Sequence, residues 1–356
     1  MFRGKRKAKK ENPPIPITID DFGYVVKDDG TVRSKTTDLR YEFSFDPKDH
    51  AYNESRYRVF IDLLGDIVEE RLQQTPLNFQ KVIVPEGADP SKNDPHTYFY
   101  MTPNALKNTG KLVLLIPGTQ TRVGQWSKRV MCDESLQAGS MINMAKYLIE
   151  NDHEVIIFNP NGGMWYDNAP HDMPPLKAND MWSTIPGSES PEQHCQYVFR
   201  HFVRQAQAEK IGVIALGYGG HCFTDMINEN FDIVKSKVVG VALANSTHLS
   251  AYINGQDKRA WMINHVVNWV LSDQPKGEDV PNTLIGCTSV SSGPEAELPE
   301  YVLWKCAADM MNFIGIKMGD IIVDESDEQE EESTDAILAD EELAEHLDIF
   351  SQDRLD

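Results

Sequence analysis

Residues 211–220, IGVIALGYGG, decide the fold. Ile211, Val213 and Ile214 form an apolar run of strand length, which suits a central strand buried on both faces. The run passes into Ala215-Leu216-Gly217-Tyr218-Gly219-Gly220 and then into a helix-like segment, 221–230. Strand, tight turn of small residues, helix is the layout of a nucleophile elbow, which carries its attacking hydroxyl at the third position of G-x-S-x-G. Here that position is Gly217. Glycine has no hydroxyl, yet a residue without a Cβ sits most cheaply in so strained a bend. The turn is kept and its reactive group is missing.

Working outward, apolar runs at 112–116, 155–158, 238–243 and 284–290 read as further buried strands, with short edge strands at 81–84 and 97–101. Between them lie helical patterns. Tyr57, Phe60, Ile61, Leu64, Ile67, Val68 and Leu72 recur at helical spacing over 52–74. Helices are expected at 139–150, at 259–271 with Trp261, Val266, Trp269 and Val270 as core, and at 300–314. Ser190-Pro191-Glu192-Gln193 is a helix start, with Ser as N-cap and Pro in the first turn, for a helix running to about residue 209. An Asp29-Gly30 pair predicts a hairpin within 23–34. The fold class is therefore α/β, specifically α/β-hydrolase-like: a mostly parallel sheet with helices on both faces.

The ligand crevice of such a sheet lies beyond the C-terminal strand ends. Gly118, Thr119, Asn161, Gly217, Tyr218, His221, Asn245, His248 and Ser291 are the candidate lining residues. The irregular segment 164–186 is expected over them as a lid or partner-binding loop.

A serine hydrolase of this architecture needs a nucleophile, an acid and a histidine base in that chain order. The acid position after 238–243 holds Asn245, which carries no charge. The base belongs in the loop 291–299, which has no histidine. Three positions fail together, so no catalytic residue and no cofactor is assigned. The competing enzyme reading uses displaced residues, Ser246 or Ser291 with His248, and a third reading is a binding module whose empty crevice holds a small ligand. Gly217–Gly220 lacks the spacing of a nucleotide loop, Cys222 reads as core, and Asp167, His171 and Asp172 lack a second ligand cluster for a metal.

The 356 residues carry a net charge of −21 and five scattered cysteines without a C-x-x-C pair. That pattern argues for reduced thiols and against a zinc site. Between 324 and 356, 15 acidic residues face one base, Arg354, so −14 belongs to this tail and −7 to everything else. A mildly acidic body disfavours direct binding of nucleic acid, and no run of apolar residues is long enough to span a membrane. The organisation expected is a disordered basic arm at 1–18, one domain at 19–318 and an acidic tail at 319–356. RGKRKAKK in the arm reads as a nuclear-import cluster. Ile337, Leu338, Leu343, Leu347, Ile349 and Phe350 give the tail an acidic-hydrophobic pattern.

Several short motifs add a resemblance. Gly124-Gln125-Trp126 with Arg129, Phe158-Asn159-Pro160-Asn161, Ser190-Pro191-Glu192 with His194, Tyr197 and Val198, Tyr218-Gly219-Gly220, and Asn268-Trp269-Val270 occur in the order and spacing of the Arb-two (Argonaute-binding protein two) domain family. The chain resembles that family over about 20–314. The resemblance implies an α/β-hydrolase-like fold and a role in the nucleus, and also in the cytoplasm, in small-RNA-linked heterochromatin silencing or alternative splicing. It also implies Argonaute or chromatin proteins as partners. Animal members typically show Ser, Asp and a His-Glu pair where this chain has Gly217, Asn245 and Ala296-Glu297. The sequence therefore departs from the family pattern where hydrolysis would need it most, and a pseudo-hydrolase is expected.

Overall fold

The computed structural model describes residues 12–176 and 179–322. The basic cluster at 3–10 and the acidic-hydrophobic tail from 324 onward lie outside the described residues. An N-terminal hairpin pairs β1 (Tyr24–Val26) with β2 (Val32–Ser34) and packs on the long helix α1 (His50–Gln73). Asp49 starts α1 by accepting the Tyr52 N–H at 3.0 Å.

The strands β3 (Gln80–Val84), β4 (Thr97–Met101), β5 (Lys111–Ile116) and β6 (His153–Ile157) build one half of the main sheet. Short helices α2 (Lys128–Asp133) and α3 (Leu136–Gly139) and helix α4 (Ile142–Glu150) connect β5 to β6. A small three-stranded sheet of β7 (Met164–Tyr166), β8 (Ala169–His171) and β9 (Ser183–Thr184) follows, in the segment expected as a lid. The second half holds α5 (Pro191–His201), β10 (Lys210–Leu216), α6 (Tyr218–Lys237), β11 (Val238–Ala244), α7 (Gln256–His265), β12 (Val266–Val270), β13 (Thr288–Ser291), α8 (Val302–Lys305) and α9 (Ala307–Met318).

The main sheet has eight strands in the order β13-β12-β11-β10-β5-β6-β4-β3, with β10 near its centre. Among the described strands of this sheet, β4 alone runs against the rest, pairing with β3 and with β6 in antiparallel register. Two buried cores flank the sheet. One lies under α1, α4 and α9, the other under α5, α6 and α7. The fold is α/β-hydrolase-like, as the elbow and the alternating pattern predict.

Local expectations need four corrections. Residues 259–271 are not one helix: α7 stops at His265 and 266–270 form β12, parallel to β11 with Val241 opposite Val266 and Ala244 opposite Trp269. Val267 and Trp269 enter one core and Val266 the other, so a strand buried on both faces imitates a buried helix in sequence. The last strand is accordingly the shorter 288–291. The helix from Ser190 is capped as expected, the Ser190 hydroxyl accepting the Gln193 N–H. It ends at His201 because Phe202 turns out (φ −124°) to pack edge-on against Phe99 at 4.9 Å. The helices expected at 139–150 and 300–314 are each interrupted, at Ser140-Met141 and at Cys306.

Candidate functional site

The end of β10 supplies the centre of the site. Gly217 has φ 54° and ψ −117°, and its N–H is held by the Ala244 carbonyl at 2.8 Å. This is a sharp, left-handed turn that L residues rarely adopt. A Cβ built on Gly217 meets nothing within 4 Å, so the position where an elbow carries its nucleophile opens into free space. Two residues on, glycine is required for a different reason. A Cβ on Gly219 would lie 2.6 Å from the carbonyl oxygens of Ile116 and Pro117, so the start of α6 is pressed against the end of β5.

That close approach brings the 118–121 turn beside the elbow. Asn161 holds this turn from behind, donating its amide to Gly118 O at 2.7 Å and Thr121 O at 2.9 Å. Gln120 stands at φ 59° and Asn245 at φ 44°, so three loop positions around the crevice have left-handed backbone. Such conformations persist where the surroundings over-determine them, and they gather at ligand sites. Asn245 is fixed at the end of β11, its N–H bonded to Trp269 O at 2.6 Å.

A cavity of about 530 Å³ opens in front of the elbow. Of the candidates read from sequence, Gly118, Thr119, Gly217, Tyr218 and Asn245 line it, whereas Asn161, His221, His248 and Ser291 do not. The wall opposite comes from α1 (Glu54, Tyr57, Arg58, Ile61, Asp62), with Trp126 to Arg129, Met173, Pro299 and Glu300 completing it. The α1 residues were invisible as site residues because the periodicity of α1 reads only as core packing. The one signal was the polar row Glu54, Arg58, Asp62, spaced four apart beside the apolar stripe. No imidazole and no thiol lies among the cavity-lining residues.

The displaced candidates have other partners. Ser246 Oγ and His248 Nδ1 are 2.7 Å apart, so a serine–histidine pair exists, but both residues are buried. Ser246 Oγ lies 2.0 Å from where a Cβ on Gly220 would stand, so the pair is roofed by α6 and turned away from the cavity. Burial pushes His248 down to about 4, and its Nε2 faces Cys287 Sγ at 3.9 Å. Ser291 donates to Gln274 O at 2.8 Å. Ala296 is buried in the core beneath α9. His221 stands 3.7 Å from Glu192, whose carboxylate also accepts the Tyr218 hydroxyl. Asp172 is paired with Lys128 at 2.8 Å, and His171 stacks on Tyr166. His194 of the Ser-Pro-Glu motif accepts the Asn159 N–H through Nε2 and meets Ser188 through Nδ1. Full burial drives it down to about 3, so it is a neutral structural link between α5 and the loop after β6.

The Arb2 domain matches residues 15–276 of the sequence. The chain belongs to the Arb2 domain family. A mouse protein named cotranscriptional regulator ARB2A is 29% identical over 347 residues, covering 86% of this chain and 82% of its own. The human protein of the same name is 29% identical over 346 residues with the same coverage. A Dictyostelium discoideum homologue of that regulator is 22% identical over 319 residues, 83% of this chain and 79% of its own. Among solved structures, a histone deacetylase from Saccharomyces cerevisiae aligns with 71% of this chain and 96% of its own at 10% identity and a TM-score of 0.45. Part of these motifs borders the crevice: Trp126, Arg129 and Tyr218 line it, and Asn161 holds the Gly118 carbonyl behind it.

Proposed function

We propose that this Arb2 domain is a non-catalytic adaptor in nuclear gene regulation, a pseudo-hydrolase that presents surfaces to protein partners. The observation that carries the reading is an elbow with full nucleophile geometry at Gly217 and no side chain, facing a cavity without an imidazole. A hydroxyl needs an adjacent base to attack at neutral pH, and neither group is on the cavity wall in the required arrangement. The names of the relatives, cotranscriptional regulators, support a regulatory role. Argonaute or chromatin and silencing proteins are the partners the family resemblance favours. The acidic body argues for reaching RNA or chromatin through protein rather than phosphate contacts. A fluorophosphonate probe is expected to leave the protein unlabelled, and purification from nuclear extract to recover silencing, transcription or splicing proteins. Labelling at the crevice, or recovery of no nuclear partner, refutes the proposal.

One specific observation favours an enzyme as the second reading: the 2.7 Å contact between Ser246 and His248. It requires α6 to lift from Ser246. Esterase turnover that disappears in His248→Ala would establish it in place of the adaptor.

A further inference from the structure

We propose that a second cavity, between α1 and the small sheet of β7, β8 and β9, is the docking site of the chain's own basic arm, the Arg- and Lys-rich residues 3–10. The proposal goes beyond the adaptor reading and does not depend on it. The cavity measures about 570 Å³; it meets the elbow crevice at Arg58 and Asp62 and contains no residue of the elbow. Its charged lining is Asp62, Asp66, Asp167, Asp172 and Asp180 against Arg58 and Arg122. Internal pairing leaves carboxylate in excess. Asp66 is held by Arg122 at 2.7 Å and Asp172 by Lys128 at 2.8 Å, while Asp62 and Asp167 join no ion pair among the described residues. Arg58 gives little relief, since its guanidinium donates to the Pro174 carbonyl. Desolvation, and then Asp172, push the Asp62 carboxyl above the usual carboxylate range, and Arg122, Lys128 and Arg58 do not offset them. A carboxylate so placed is stabilised by one more cation.

The position of residue 12 says which cation. Asn12 donates its amide to Asp49 at 2.9 Å, and the Tyr52 hydroxyl donates to the Pro13 carbonyl at 2.9 Å, so the arm is tethered at the first turn of α1. Asp62 and Asp66 stand further along the same helix, roughly 15 and 21 Å from Tyr52 at 1.5 Å per residue. Lys10, Lys9 and Lys7 precede Pro13 by about 10 to 20 Å of extended chain, so their side chains reach that stretch. Residues 3–10 hold Arg3, Lys5, Arg6, Lys7, Lys9 and Lys10 and no acid. The walls suit a lysine stem as well, because Val59, Pro170 and Pro175 offer apolar surface to its methylenes. The acidic tail is the rival partner for these cations, and it starts elsewhere. Asp320, close to the last described residue, is bonded to Lys111 and, at 2.9 Å, to His153, the first residues of β5 and β6. The α1 residues Glu54 to Asp62 border the crevice at the opposite, C-terminal ends of the strands. Docking would withhold from other proteins the same cations that read as a nuclear-import cluster.

The test is cross-linking of the full chain with a carbodiimide, which joins a lysine amine to a carboxylate with loss of water, read by peptide mass spectrometry. Cross-links from Lys7, Lys9 and Lys10 are expected to concentrate on Asp62 and Asp167, at least about fivefold above those to Asp21 and Glu42, exposed carboxylates of the neighbouring N-terminal segment. They should fall at least about fivefold in 0.5 M salt, where screening acts within about 4 Å. In the double variant Asp62→Asn with Asp167→Asn, trypsin should cut within residues 3–10 at least about fivefold faster, the arm having lost its site. Asn suits the left-handed backbone at position 167 (φ 51°), so the exchange is mild. An even spread of cross-links over Asp21, Glu42 and the cavity overturns the proposal. So do cross-links mainly to the acidic tail, cross-links mainly between chains of different isotopic label, or an unchanged trypsin rate. If the double variant does not fold, the cross-link distribution and its salt dependence still decide. The adaptor reading fails on probe labelling or partner recovery, neither of which these experiments measure.

Discussion

Returning a hydroxyl to the elbow separates the shape of the site from its chemistry. In Gly217→Ser the new Cβ meets no atom within 4 Å, so there is no steric cost. What remains is backbone strain, because φ 54° and ψ −117° are unfavourable for any residue with a Cβ. Strain of this kind costs roughly 1–3 kcal/mol. Gly219→Ala is the internal contrast. There the Cβ would lie 2.6 Å from two backbone carbonyl oxygens, which cannot move aside as a side chain can. The loss should therefore exceed that of Gly217→Ser clearly, by about 2 kcal/mol or more, or the protein should not fold. Urea unfolding of the two variants measures both costs. The serine hydroxyl would be accessible, yet the cavity wall provides no imidazole to activate it, so p-nitrophenyl acetate turnover should stay at the wild-type background. Burst kinetics from Gly217→Ser would show that a base reaches the cavity after all. Equal destabilisation by the two substitutions would refute the assignment of separate roles to the two glycines.

Three further outcomes follow from buried polar groups. Glu69, 5% exposed, accepts from Arg122 Nε at 2.5 Å, Tyr100 at 2.6 Å and Tyr98 at 2.9 Å, tying α1 to β4 and the loop that carries Arg122. Glu69→Gln should cost about 3 kcal/mol in urea unfolding, at the low end for a broken buried ion pair because Arg122 keeps Asp66 at 2.7 Å; a change under about 0.5 kcal/mol would contradict this. His194 and His248 are held near 3 and 4 by burial, against about 6.5 in the unfolded chain. The unfolded state therefore takes up protons below pH 6.5 that the native state refuses, and stability present above pH 6.5 is lost as pH falls toward 4. Near pH 5 the two groups contribute close to two protons, a slope of about 2.5 kcal/mol per pH unit; a flat stability profile between pH 6.5 and 4.5 would contradict their burial as neutral rings. Asn161→Ala takes the side-chain donor from Thr121 O and leaves Gly118 O only the Thr121 hydroxyl at 3.1 Å, and should cost about 1–3 kcal/mol. Amide hydrogen exchange over 118–121 should quicken in that variant, and unchanged protection would remove Asn161 from its supporting role.

What the sequence alone determined about this protein is local. A strand, a bend and a helix are adjacent in the chain at 211–230, so their order, and the absence of a hydroxyl at Gly217, could be read directly. The N-cap at Ser190 is equally local, since donor and acceptor are three residues apart. The α/β class followed from alternation along the chain, which reports which faces are buried. The tertiary structure decided what depends on distant partners. Residues 266–270 are a strand because β11 stands ready to pair with them; their own apolar pattern suits either state. The far wall of the crevice comes from α1, about 150 residues before the elbow in the chain, and periodicity cannot tell a helix face that covers a core from one that borders a cavity. Ser246 and His248 are two residues apart in sequence, but their withdrawal beneath Gly220 depends on how closely α6 settles onto the sheet. That separation is set by packing against the Ile116 and Pro117 carbonyls, a contact between segments roughly 100 residues apart.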